Sequence, residues 1–129
     1  MSRNAPAANP KWMTIVGWLL GLLPCLLLMF SAYMKLSRHP EVLKGFAEYK
    51  NAGSMPLTLG VVELTCAIVY LIPHTAVFGA ILSTGYLGGA VHSHVRAGEP
   101  WFMAFLVGVV LWLGLYFRDP RIRSLLLRR

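Results

Sequence analysis

An isolated carboxylate inside an apolar run is the chemically most demanding feature of the sequence. Leu57 to Ile72, LTLGVVELTCAIVYLI, is a stretch of sixteen residues in which Glu63 is the one carboxylate. Such a group is costly in an apolar medium unless it meets a cation, a hydrogen-bond donor or a proton. The other residues of suitable type close two further apolar runs: Lys35 ends one, and His92, His94 and Arg96 end another. If consecutive helices alternate in direction, all five gather in one leaflet. At 1.5 Å per residue Glu63 lies about 10 Å inward from Pro56, and His92 about 6 Å inside Arg96. His92 and Arg96 share one helical face with Gly85 and Gly88, whereas His94 points about 200° away from His92. The first expectation is therefore a Lys35–Glu63 ion pair, completed by His92 or Arg96. Such a cluster can be a polar lock that sets helix register, or a site that handles a ligand or a proton.

The elements that must position these residues follow from composition. Of the 129 residues, 57% are hydrophobic and 13% charged, and the mean hydropathy is +0.60. Soluble domains run at about 45–50% apolar and about 25% charged. This is the composition of a membrane protein. The apolar material forms four blocks, which predict spans at about 12–36, 56–72, 75–95 and 101–117. About 20 residues cross a bilayer core, so the second and fourth are short. A three-span chain with a re-entrant second segment is the alternative count. The first block is longer than the 7 to 15 apolar residues, roughly, of a signal peptide, and is expected to be a retained anchor.

The formal charge of +7 does not indicate nucleic acid, because the basic residues lie between and after the apolar blocks. There they set topology and meet anionic lipid headgroups. Arg3, Lys11, Arg118, Arg121, Arg123, Arg128 and Arg129 fall on the side of the termini; Lys35, Arg38, Lys44, Lys50 and Arg96 fall on the other. Seven against five points to cytoplasmic termini.

Taken in order, residues 1–11 lack periodicity and are expected to be a flexible tail. Pro24 lies inside the first span and is expected to bend it. Residues 40–52 place Val42, Leu43, Phe46 and Tyr49 on one face, with Pro40 at the start and Gly53 after the end, as in an interfacial amphipathic helix. Only Pro73 and His74 separate the second and third spans, which predicts a tight antiparallel pair. The third span is rich in small residues, Gly85 and Gly89 among them, and is expected to be central in the bundle. Residues 118–129 form a basic tail with an apolar patch, suited to the membrane surface. The fold class is thus all-α, a four-transmembrane-helix antiparallel bundle with an interfacial helix between the first two spans.

Three separated motifs carry a resemblance: FSAYMKL from Phe30, LGVVEL from Leu59 and GGAVHSHVRAGEP from Gly88. Together they resemble the DoxX-like family of small bacterial integral membrane proteins, over about residues 15–117. The resemblance implies that Lys35, Glu63, His94 and Arg96, with His92 beside them, are signature positions. It also implies a bundle in the inner membrane, redox partner subunits and a link to quinone, without catalytic activity of its own.

Other chemistries find less support. Two haem ligands would need histidines on facing helices, but His92 and His94 share one helix, His74 lies at the opposite surface and His39 in a connection. No metal-ligand spacing is present. Cys25 and Cys66 fall at similar depth and are expected to be reduced, small apolar fillers. The remaining readings are a scaffold or chaperone, and a small transporter or proton pathway, which four short helices could house only as a homo-oligomer.

Overall fold

The structure is a computed structural model and describes residues 8–46 and 54–127. The described residues hold six α-helices and no strand: α1 (Lys11–Leu36), α2 (Pro40–Phe46), α3 (Met55–Leu71), α4 (Ala76–Ala97), α5 (Phe102–Arg118) and α6 (Pro120–Leu126). A 3-10 turn, Pro73–Thr75, joins α3 to α4. The four long helices coincide with the four apolar blocks. Their ends follow local chemistry. Pro56 falls in the first turn of α3, where its missing N–H costs nothing. Gly98 ends α4 in the left-handed region at φ 71°, a conformation that Gly adopts without strain. In α2 the His39 ring Nδ1 accepts the Glu41 backbone N–H at 3.2 Å.

Each long helix packs on two others, in the cyclic order α1, α3, α4, α5. Pairwise contacts run in opposite sequence directions throughout. Lys35 meets Glu63 while Cys25 meets the Ala67 carbonyl, so α1 and α3 are antiparallel. Gly17 lies against Arg118 and Gly21 against Gly114, which fixes α1 and α5 likewise. Thr84 pairs with Trp112 and Leu87 lies beside Gly108 across α4 and α5. The diagonal is bridged by Tyr70 of α3, fully buried, whose hydroxyl donates to the Leu111 carbonyl of α5 at 2.6 Å.

Three expectations change. The most extensively packed helix is α1, which lies against both α3 and α5, rather than α4. On α4 the small residues near its start do pack: a Cβ on Gly79 would collide with the Tyr70 backbone. Gly85, Gly88 and Gly89 instead face open space, because the chain direction turns by 108° between α3 and the segment from Pro73 to Ala97, short of full reversal, so the pair splays away from its turn. Asn9, placed in the expected flexible tail, is held: its amide donates to Thr14 Oγ1 at 2.7 Å and to the Phe117 carbonyl at 3.0 Å. The basic segment after Arg118 is a helix, α6, turned by 110° from α5, with Ile122 buried. Of the expected interfacial helix, Pro40–Phe46 is helical, and the remainder lies outside the described residues.

By length and apolarity α1 alone qualifies as a complete span; α3 with α4, and α5 with α6, qualify when each bent pair is taken together. The outer faces nevertheless carry large apolar side chains on every long helix, among them Leu19, Phe30, Val61, Phe78 and Phe105. The buried core mixes small groups, Cys25, Ala32, Ala67 and Ala80, with Leu28, Tyr70, Leu111 and Leu115. Exposed apolar faces this extensive are what lipid covers. The chain is an all-α membrane protein.

Candidate functional site

Glu63 is buried at 3% exposure on the inner face of α3, which also carries Gly60, Cys66, Ala67 and Tyr70. Those positions recur every three or four residues, so the helical period alone turns them together. Across from Glu63, Lys35 lies in the last turn of α1 with its chain folded inward. The Lys35 Nζ to Glu63 Oε2 distance is 2.6 Å, with the Lys35 side chain at 14% exposure. Gly60 makes the approach possible: a Cβ there would stand 3.0 Å from the Leu36 side chain and 3.2 Å from Lys35 Cβ. The ammonium also donates to Ser31 Oγ at 2.7 Å, one helical turn earlier on α1. From α4 the Tyr86 ring closes the group, with Lys35 Nζ 5.9 Å from its centroid. The first and third helices are therefore tied at one depth by a buried ion pair and the Ser31 hydroxyl, with the Tyr86 ring of α4 beside them.

Of the five residues expected to gather, the structure joins two. His92 and Arg96 face outward, and neither makes a hydrogen bond or ion pair among the described residues. His94 turns to Glu99, its Nδ1 3.0 Å from Oε2. Ser31 and Tyr86 hold the places that sequence reasoning gave to His92 or Arg96. Only Ser31 carried a legible signal. Ser31 precedes Lys35 by four residues and so shares its face. Tyr86 lies about 16 Å from the end of α4 at Ala97 and His92 about 8 Å, each about 4 Å off the roughly 12 Å of Glu63 from the start of α3, so depth does not separate them. Facing does: Tyr86 is half-buried and His92 exposed.

An apolar cavity of about 460 Å³ lies between α3 and α4, lined by Val62, Cys66, Leu82, Gly85 and Tyr86 among others. Ser83 is fully buried, and its hydroxyl has no hydrogen-bond partner among the described residues. Both cysteines are free thiols, and no group of three metal-ligating side chains gathers among the described residues.

A second polar centre lies at the other end of the bundle and was not foreseen. The Arg118 guanidinium is sandwiched between the rings of Trp18, at 4.3 Å, and Tyr70, at 4.6 Å. It donates to the Tyr70 carbonyl at 3.0 Å. Beside it, Asp119 accepts the backbone N–H of Arg121 at 2.9 Å and caps α6. Burial works to raise the Asp119 carboxyl, but hydrogen bonds from the Arg121 side chain and backbone, with the charges of Arg121 and Arg118, outweigh it and hold the group below its usual range.

Neither a curated protein nor a solved structure gives a match to this chain. The sequence profile of the DoxX-like family matches residues 10–116, from the residue before α1 to the last turn of α5. That match takes in Lys35, Glu63 and Tyr86 together with the four helices that position them, and the chain belongs to the DoxX-like family.

Proposed function

We propose that this protein is a four-span, non-catalytic accessory subunit of a redox-linked assembly in the bacterial inner membrane, and that its Lys35–Glu63 pair is the lock that fixes helix register. The observation that carries the lock is the closed geometry: 2.6 Å between the charges, with Ser31 on the ammonium and Glu63 at 3% exposure. A group so fully engaged has little capacity left for chemistry. The redox setting rests on the family resemblance, and cytoplasmic termini rest on the Lys and Arg distribution. Removing one member of a buried pair strands the other, a loss of about 3–5 kcal/mol, whereas replacing both with apolar residues restores most of it. Glu63→Gln should therefore lower the melting temperature in detergent sharply, and Lys35→Met with Glu63→Leu should recover it. A Glu63→Gln protein that melts with the parent would sink the lock.

A second reading is favoured by the cavity between α3 and α4, whose apolar wall brings the Tyr86 ring beside Glu63. A quinone head could enter there and accept a hydrogen bond from Tyr86. Titration with a short-tailed benzoquinone tests this: binding that Tyr86→Phe weakens, without a change in melting, supports it. Equal binding to parent and Tyr86→Phe protein defeats it.

A further inference from the structure

An apolar groove and an uncompensated charge meet where α5 turns into α6. The groove, about 460 Å³, lies between α4 and α5, with Leu87 and Gly88 on one wall, Gly108 and Trp112 on the other, and Tyr116 and Leu126 at its α6 end. Its polar edge is already satisfied: Trp112 Nε1 donates to Thr84 Oγ1 at 2.7 Å, and that hydroxyl donates to the Ala80 carbonyl at 2.7 Å. The groove therefore suits a hydrocarbon chain. From Phe105 to Tyr116 it follows α5 for about 16 Å, close to half of the roughly 30 Å hydrocarbon core of a bilayer.

Charge then marks one end. Arg123 lies over the Tyr116 ring, 5.9 Å from its centroid. Its N–H groups go to neutral acceptors, the Tyr116 carbonyl at 2.7 Å and Asn9 Oδ1 at 2.6 Å. Arg118 likewise meets a carbonyl and two rings. The carboxylates among the described residues are engaged elsewhere: Glu41 with Lys44, Glu63 with Lys35, Glu99 with His94 and Asp119 with Arg121. Neither Arg118 nor Arg123 has an ion-pair partner among the described residues.

The geometry points to a binding site for one anionic glycerophospholipid, an acyl chain lying in the α4–α5 groove and its phosphate meeting Arg123 at the level of α6. The site rests on the membrane-spanning reading and adds a defined, stoichiometric ligand to it. A free phosphate would satisfy the arginine but leave the groove unfilled. A second copy of the chain would fill the groove but bring the same positive charge to it.

Native mass spectrometry of the full chain, released from micelles holding equal amounts of phosphatidylglycerol and phosphatidylcholine, tests the site. The expected result is one retained phosphatidylglycerol per chain, favoured at least about fivefold over phosphatidylcholine. Gly108→Leu should remove that retention, because a Cβ at Gly108 meets only Leu87 Cδ1, at 3.6 Å, and a longer side chain then fills the groove without displacing backbone. Arg123→Gln should erase the headgroup preference; if it fails to fold, since Arg123 also holds the end of α5, Gly108→Leu decides alone. Equal retention of the two lipids, unchanged phosphatidylglycerol in Gly108→Leu, displacement by inorganic phosphate, or a two-chain species that Gly108→Leu dissolves would each overturn the proposal. Resistance to alkaline extraction from membranes reports separately on whether the chain spans the bilayer.

Discussion

The Lys35–Glu63 contact was legible in the sequence because an unpaired carboxylate in an apolar run demands a cation, and only one lysine ends a neighbouring run. Its surroundings were legible only in part: the spacing of Ser31 to Lys35 shows a shared face, and nothing marks Tyr86. The histidines attracted attention by type, while a place beside a buried ion pair is decided by which way a side chain faces, and a tyrosine within a glycine-rich segment gives no warning of its role. Ser31→Ala should cost about 1 kcal/mol of stability, read as a melting shift in detergent, because the hydrogen bond that Ser31 accepts from the Lys35 ammonium is lost. At the opposite end, Asp119 gives a pH signature. Its folded-state pKa is lowered, so its contribution is complete above the usual carboxylate value of about 3.9 and is lost as pH falls through the lower folded value. Melting temperature should drop as the buffer is taken from pH 5 to below about 4, and Asp119→Asn should flatten that part of the profile.

Among the elements, the small residues of α4 divide into two sets that sequence alone treated as one. Gly79 packs directly on the Tyr70 backbone beside the turn, while Gly85, Gly88 and Gly89 lie where the splay has already opened. The tightest crossing away from that turn is between α1 and α5, where a Cβ on Gly114 would stand 2.8 Å from Gly21 Cα and 2.8 Å from the Tyr70 hydroxyl. Gly114→Ala should therefore destabilise by about 1–3 kcal/mol, and it should also disturb the Tyr70–Leu111 hydrogen bond. Gly85→Ala, facing open space in the middle of a helix, should be neutral or stabilising by up to about 1 kcal/mol. Comparison of the two melts checks both. The glycine spacing could not foretell the difference, because small-xxx-small marks a face that permits close approach and says nothing about whether a neighbour arrives.

For the molecule as a whole, the proposed four spans with antiparallel neighbours predict that Ser37 and Ser124 lie on opposite sides of the membrane. Single cysteines at these positions, in a background with Cys25 and Cys66 replaced by Ala, should react with an impermeant maleimide from opposite faces of sealed vesicles. Labelling from the same face would favour the three-span count. The sequence by itself determined the helical class, the places of the four long helices and the pairing of Lys35 with Glu63, because hydrophobic length and the cost of an intramembrane charge are local or nearly local constraints. The tertiary structure alone decided which helix is most enclosed, which glycines are closed, where His92 and Arg96 point and what completes the ion pair. Those outcomes depend on crossing angle and relative depth, and the 108° turn between α3 and α4 sets both in a way that no single helical period encodes.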